Sequence, residues 1–257
     1  VLNRMVSEKM ISDEVRQLAL ASNIELVKPR VVSDPNLYFV DQVVEQLERD
    51  YGKDFVHFGG LKILTTLDTR QQKLAFKSVQ NHLEALKNRV VIERGESPLQ
   101  AALVAIENKS GAVRALLGGR DYSYSQFNRA VSNNRLPGSS FKPFVYFTAM
   151  QELGYSPATV VEDEPLTIDI PGSSPWSPMN FDEEYAGSII LKKALMNSVN
   201  IISAKLLNEV GPEKVIRMAR KFGIKSPLGK NLSLSLGTSG LSTYEVASAY
   251  SVIANLG

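Results

Sequence analysis

Apolar positions along this chain change their period several times, and each change marks an element. Over Val1 to Ser22 they recur at helical spacing (Leu2, Met5 and Val6, then Ile11, Val15, Leu18 and Ala19). Ser12 ahead of Asp13 and Glu14 reads as an N-cap with acidic residues in the first turn, so two short helices are predicted. Val27 to Asn36, with Pro29 and Pro35, reads as a linker. The run Phe39 to Gly52, FVDQVVEQLERDYG, sets Phe39, Val43, Val44 and Leu47 on one stripe and ends on a glycine suited to a C-terminal cap. A linker helix lying against the main domain follows from that.

At Leu61 to Leu67 the pattern turns to alternation rich in β-branched residues, LKILTTL, which predicts a strand. Asp68 then opens a helix through Arg89, with Leu74, Val79, Leu83 and Leu86 at helical spacing. AALVAIENKSGAVRALLGG predicts an antiparallel hairpin turning at Asn108 to Gly111, its apolar faces belonging in a central sheet. Gln151 to Gly187, rich in Pro and Gly and holding the lone tryptophan, reads as one long irregular loop, and loops of that length are often functional. The remainder is helical. GPEKVIRMARKFG has Pro212 in its first turn and Gly223 as terminator, and Ser242 with Glu245 makes a capping box for a last helix whose buried face is Val246, Ala249, Tyr250 and Ile253.

A length of 257 residues at 44% hydrophobic suits one large domain, or one with a small appendage. A net charge of +2 without a cationic face gives no indication of nucleic-acid binding. With no cysteine, neither disulfide nor thiol chemistry is available, and His57 and His82 lie apart without metal-ligand spacing, so neither metal nor cofactor is expected. His82, beside Asn81 and Glu84, reads as a solvated helix-face residue. No run of about 18 apolar residues and no signal-peptide pattern occurs, so a membrane anchor would have to lie outside this chain. GIKSPLGKN superficially resembles a phosphate-binding loop, but its glycine spacing is one residue too long and Asn231 stands where a Ser or Thr would hold magnesium.

Candidate chemistry centres on RLPGSSFKPF, Arg135 to Phe144. Ser139 follows a Pro-Gly turn, Lys142 lies three residues on, and Pro143 belongs in a helix's first turn, so the helix begins close to Ser139. Residues three apart are helical neighbours, which lets the Lys142 amine reach the serine oxygen near the positive end of the helix dipole. Because a residue before proline is pushed away from the α region, the first turn is expected to be irregular. Serine needs a base to act as a nucleophile; with no histidine suitably placed, Lys142 in its neutral form is the candidate. Alone the motif is weak, since about one or two matches arise by chance in such a composition. Its support is a second element, Ser198-Val199-Asn200, where one apolar-periodic segment ends and another begins, so that a hydroxyl and a carboxamide can face a cleft. An ordinary helix cap would use the same pair.

Ser-x-x-Lys followed by Ser-x-Asn belongs to the motif set of penicillin-binding proteins and class A β-lactamases. The likeness extends through GLKILTTLDTRQQKLA from Gly60, AALVAIENKSGAVRALLGGRDYSYSQFNRA, RLPGSSFKPF, LKKALMNSVN and LGTSGLSTYEVASAYSVIANLG. In that order they resemble the transpeptidase region of the class A, bifunctional penicillin-binding proteins. The resemblance implies an α/β fold of the α+β type, a mostly antiparallel sheet flanked by helices and incomplete at the C-terminus. It also implies three regions: 1–25 ending a glycosyltransferase domain, 26–59 a linker region, and 60–257 the first part of the transpeptidase domain.

For activity it implies acyl transfer between peptidoglycan stem peptides at the extracytoplasmic face of a bacterial membrane, with β-lactams acylating the same serine. Ser139 would be the nucleophile and Lys142 its base. Ser198 would relay a proton and Asn200 hold the substrate backbone, while Trp176 and Tyr185 would border the substrate, packing anchors being the alternative reading. The family's third element, Lys-Thr/Ser-Gly on a later strand, is not found after Asn200; Lys109-Ser110-Gly111 is in a hairpin turn and Ser132-Asn133-Asn134 is likewise misplaced. The chain as written is therefore expected to be an incomplete enzyme with an uncovered sheet face and poor solubility. A carboxypeptidase or β-lactamase using water as acceptor, and a non-catalytic cell-wall scaffold, share these features and stay open.

Overall fold

The computed structural model describes residues 1–22, 34–87, 89 and 99–257. The expected linker, up to residue 33, lies outside them. The chain forms two units, Val1–Val32 and Ser33–Gly257. In the first, α1 (Leu2–Ser7) and α2 (Asp13–Ala21) are the two short helices predicted, and Ser12 caps α2 by accepting from Val15 N at 3.3 Å.

The second unit begins with α3 (Leu37–Tyr51), α4 (Lys53–Phe58) and α5 (Thr69–Leu86), followed by strands β1 (Leu103–Ile106) and β2 (Val113–Leu117). Gly52 ends α3 at a φ of 87°, a conformation that costs glycine little. The hairpin is antiparallel, with Leu103 opposite Leu117 and Ala105 opposite Ala115; its register then slips so that Ile106 faces Val113. The extra residue, Arg114, is a bulge that reverses which face the next side chain takes. Ala115 and Leu117 therefore pack with Ala75, Val79 and Leu83 of α5, whereas Leu116 and Val113 pack with Tyr38 and Phe39 of α3. Both faces of the hairpin carry a helix, so the uncovered face expected from the sequence is not found here.

LKILTTL does not form the predicted strand. Leu64 is 87% exposed, and only the end of the segment touches the hairpin, through Thr66 Oγ1 to Val113 O (2.8 Å) and Asp68 N to Arg114 O (2.9 Å). The outer edge of β2 is taken by the fully buried Gln72, whose amide accepts from Leu116 N and donates to Leu116 O, both at 2.9 Å. A side chain thus does the work of a pairing strand, while Asp68 caps α5 through the amides of Arg70 and Gln71.

The rest is α6 (Lys142–Leu153), β3 (Val160–Asp163), β4 (Gly187–Ile190), α7 (Leu191–Met196), α8 (Asn200–Val210), α9 (Pro212–Lys221) and α10 (Thr243–Ala254). β3 and β4 pair antiparallel across the base of the segment read as an irregular loop, and Ile168 bridges Trp176 within it. Four-residue strands of mixed polarity carry too little alternation to be read from sequence. The mostly antiparallel sheet expected from the sequence is smaller than that: the described residues hold two small antiparallel ladders rather than one main sheet, and helices dominate. In α10 only Ala249 is buried; Tyr250 is 39% exposed, not part of a buried face, although the Ser242/Glu245 capping box forms as predicted. The largest core joins α6, α7, α8 and α9 with Ile224, Leu234 and Leu241.

Candidate active site

Residues Gly138–Phe141 form a 3-10 turn that runs into α6. This is the irregular start that Pro143 implies, yet Lys142 itself is helical (φ -52°, ψ -40°) despite preceding a proline. Burial of its neighbours explains why: Phe141, Phe144 and Val145 are all fully buried and fix the turn against the core. From behind, the turn is braced by residues 232–241. Gly138 N donates to Gly237 O, and a Cβ on Gly237 would sit 2.1 Å from Gly138 O, so only glycine permits this approach. Tyr250 Oη donates to Ser140 O at 2.9 Å from the other side.

Ser139 is exposed, and among the described residues its hydroxyl has no hydrogen-bond partner. Lys142 is 1% exposed and points to the start of α8. Its ammonium donates to Ser198 O, to Ser198 Oγ (3.0 Å) and to Asn200 Oδ1 (2.7 Å), three acceptors for three N–H groups. Burial pulls the amine down to about 8. The geometry thus brings Lys142, Ser198 and Asn200 together, with Ser139 one turn away and not bonded to the lysine.

Ser198 has a φ of 56°, an unusual state for a residue with a side chain and one that clusters at functional sites. It turns the Ser198 carbonyl as well as its hydroxyl toward the lysine. An ordinary cap would have bonded the first amides of α8, but Val199 is the N-cap residue and supplies no side-chain bond. Those amides are satisfied from the long segment instead: Asn180 Oδ1 accepts from Asn200 N (3.0 Å) and Ile201 N (3.2 Å). Sequence reasoning missed Asn180, because nothing in PMNFDEE separates a buried asparagine from a turn residue. It reads Asp163, like the other acidic residues of this segment, as solvated surface, whereas Asp163 is 2% exposed because Asn180 and Ala186 N satisfy its oxygens.

Tyr185 is 41% exposed and, with Asp163, Phe181 and Ser198, lines a cleft of about 270 Å³. Trp176 is half-buried in the antiparallel bridge to Ile168 and does not line that cleft. Lys109-Ser110-Gly111 lies in the β1–β2 turn as expected, with Gly111 N bonded to Glu107 O at 2.8 Å. The rejected phosphate loop has its amides engaged by protein groups, Lys225 N and Ser226 N by Glu245 and Gly229 N by Ser239. His82 is exposed on α5, and His57 bonds Glu48 at 2.5 Å. Among the described residues no cluster of His, Cys, Asp or Glu is suited to a metal, and no helix is long and apolar enough to cross a membrane.

Residues 101–257 match the family described as the penicillin binding protein transpeptidase domain. Penicillin-binding protein 1A of Neisseria gonorrhoeae is 30% identical over an alignment covering 100% of this chain and 44% of the relative, and that of Neisseria meningitidis serogroup A is 39% identical over 86% of the chain and 30% of the relative. The chain therefore spans less than half the length of these relatives. Among solved structures, penicillin-binding protein 1A from Haemophilus influenzae shares the fold at a TM-score of 0.74 and 24% identity, covering 98% of this chain and 50% of that one. The PonA1 protein of Mycobacterium tuberculosis in complex with penicillin V aligns at a TM-score of 0.71 and 28% identity, covering 86% of this chain and 58% of that one.

Proposed function

This chain belongs to the penicillin-binding protein transpeptidase family, in its class A branch, and from that premise we propose that Ser139 is the nucleophile of a peptidoglycan D,D-transpeptidase. The observation that carries the reading is the buried Lys142, held by Ser198 and Asn200 one turn from a free and exposed serine hydroxyl.

A neutral Lys142 takes the Ser139 proton as Oγ attacks the carbonyl carbon of the penultimate D-alanine of a stem peptide. The Ser139 N–H, at the start of a helical turn, is one donor to the oxyanion. As the tetrahedral centre collapses, the C–N bond breaks and the terminal D-alanine leaves as an amine, taking its proton from Lys142 by way of the Ser198 hydroxyl. An amine from a neighbouring stem then attacks the acyl-serine, gives its proton back along the same route, and restores Ser139 as the cross-link forms. Asn200 aligns the donor peptide: Oδ1 faces Lys142 and one hydrogen of Nδ2 faces Met179 O at 2.9 Å, leaving the second hydrogen for substrate.

A β-lactam would be opened by the same serine, as its amide carbonyl takes the place of the D-alanyl carbonyl. We assign Tyr185 to the substrate cleft on the strength of its place beside Ser198, and give Trp176 a packing role. On this reading residues 1–25 close a glycosyltransferase domain, 26–59 are a linker region, and the protein works at the extracytoplasmic face of the bacterial membrane through an anchor outside these residues.

The test is intact-mass detection of penicillin on the full-length protein and its Ser139→Ala variant. One adduct lost in the variant is expected. A folded protein that takes no label would overturn the acyltransferase reading in favour of a non-catalytic cell-wall scaffold. Release of the acyl group by water alone, unaffected by added amine acceptors, would make it a hydrolase.

A further inference from the structure

We infer that Asn180, seated on the buried carboxylate of Asp163, is the positioning residue that holds Ser198-Val199-Asn200 in register with Lys142. The inference rests on the acyl-serine reading and adds to it a part of the long segment that neither the motifs nor the comparisons assign.

Asn180 is 7% exposed and every polar atom of its side chain is engaged. Oδ1 accepts from Asn200 N and Ile201 N at 3.0 and 3.2 Å, closing the start of α8. Nδ2 donates to Asp163 Oδ1 and Oδ2 at 2.9 and 3.1 Å and to Glu184 O at 2.9 Å. The carboxylate that receives it is 2% exposed and is held in turn by Ala186 N at 2.9 Å, at the end of the β3–β4 ladder where Asp163 faces Gly187. The preceding residue, Met179, accepts from Asn200 Nδ2 at 2.9 Å.

Two consecutive residues of the long segment therefore grip Asn200 at its backbone and its side chain. With Nδ2 tied to Met179 O, Oδ1 has one way to point, and that is toward Lys142. A residue in this place needs two acceptor lone pairs on one side and two donor hydrogens on the other, both in a buried setting where an unmade hydrogen bond is costly. Only a carboxamide of this length supplies both. An aspartate would keep the cap but set two carboxylates against each other, and a leucine would leave Asn200 N, Ile201 N and Glu184 O unpaired and Asp163 with Ala186 N as its remaining donor. Val199, whose side chain has no polar atom, cannot cap its own helix, which is why the cap comes from another segment. Asn180 makes no hydrogen bond to Ser139 or Lys142 and acts through Asn200.

The experiment measures second-order acylation of the full-length protein by a fluorescent penicillin in two comparisons. In the first, Asn180→Asp slows acylation about tenfold or more, and the reciprocal exchange Asn180→Asp with Asp163→Asn, which restores a donor opposite a carboxylate, recovers it to within about threefold. In the second, Asn180→Ala slows the parent about tenfold but the Asn200→Ala protein less than about twofold. A wild-type rate for Asn180→Asp, or the same factor lost in both backgrounds, overturns the inference. A wild-type protein that takes no label at Ser139 sinks the acyl-serine reading instead. Positioning is then judged from the crystal structure of Asn180→Ala, in which the start of α8 shifts and the bond from Lys142 to Asn200 Oδ1 is lost if Asn180 holds them, and both are unchanged if it does not.

Discussion

Around α6 and α8 the packing is almost wholly apolar, with Phe141, Phe144, Val145, Ile201, Ile202 and Leu207 all fully buried. Around the β1–β2 hairpin the clusters are smaller, every residue of β1 is half-buried, and polar side chains finish what a longer sheet would have done. Gln72 pairs with the backbone of Leu116, and Gln80 donates to Arg120 O. The candidate chemistry sits entirely in the first region, on the starts of two helices whose bodies are locked in that core. Close packing leaves such helices few alternative positions, so side chains at their first turns meet reproducibly. The hairpin region needs only to stay folded.

That contrast is broken or sharpened by graded substitutions. The largest effect belongs to Lys142→Met, which should slow penicillin acylation by about a thousandfold, the scale of a lost general base, while far-ultraviolet circular dichroism stays unchanged. Gly237→Ala should come next. Its φ of 70° and the 2.1 Å approach of the new Cβ to Gly138 O act together, at a cost of at least about 2 kcal/mol. Both thermal stability and acylation should fall, since the distortion reaches the turn that carries Ser139.

Gln72→Leu belongs to the other region. It strands both backbone groups of Leu116 and the carbonyl of Pro35, and should lower stability by about 3 kcal/mol. Below the unfolding transition it should leave the acylation rate within about twofold. A rate loss as large as that of Gly237→Ala would show that the two regions are not independent.

The pH dependence sharpens the first region further. With Lys142 pulled to about 8 by burial, roughly one molecule in ten holds the neutral amine at pH 7. Acylation should rise nearly tenfold per pH unit below that value and level off above it. Stability follows the same group with a definite sign. Between about 8 in the folded state and 10.5 in the unfolded one, the unfolded chain holds the extra proton, so Lys142 makes stability rise with pH across that window. Lys142→Met should remove that rise. The smallest effect is Ser242→Ala, which opens the capping box of α10 and should cost about 1 kcal/mol with little change in rate.

Local signals along the chain were sufficient for much of this. Helix starts at Ser12, Asp68 and Ser242 are legible because a cap is a contact between residues two or three apart, and the β1–β2 hairpin is legible because its partners are neighbours in sequence. An irregular turn before Pro143 is expected from the geometry of proline, although burial of its neighbours keeps Lys142 helical, and the Ser-x-x-Lys and Ser-x-Asn elements are visible as spacings. What spacing cannot carry is the meeting of segments far apart. LKILTTL has a strand's pattern, yet a strand exists only where a neighbour offers free backbone groups, and Gln72 had already occupied those of Leu116.

The same holds at the site. Tertiary structure alone aims Lys142 at residues 56 and 58 positions away rather than at its helical neighbour Ser139. It alone buries the amine enough to shift its proton equilibrium, brings Gly237 against Gly138, and lets Asn180 close a helix that begins 20 residues later. The sequence by itself determined which groups were available and where helices would start. Burial, and with it the strength and aim of those groups, was decided only when the core around α6 and α8 closed.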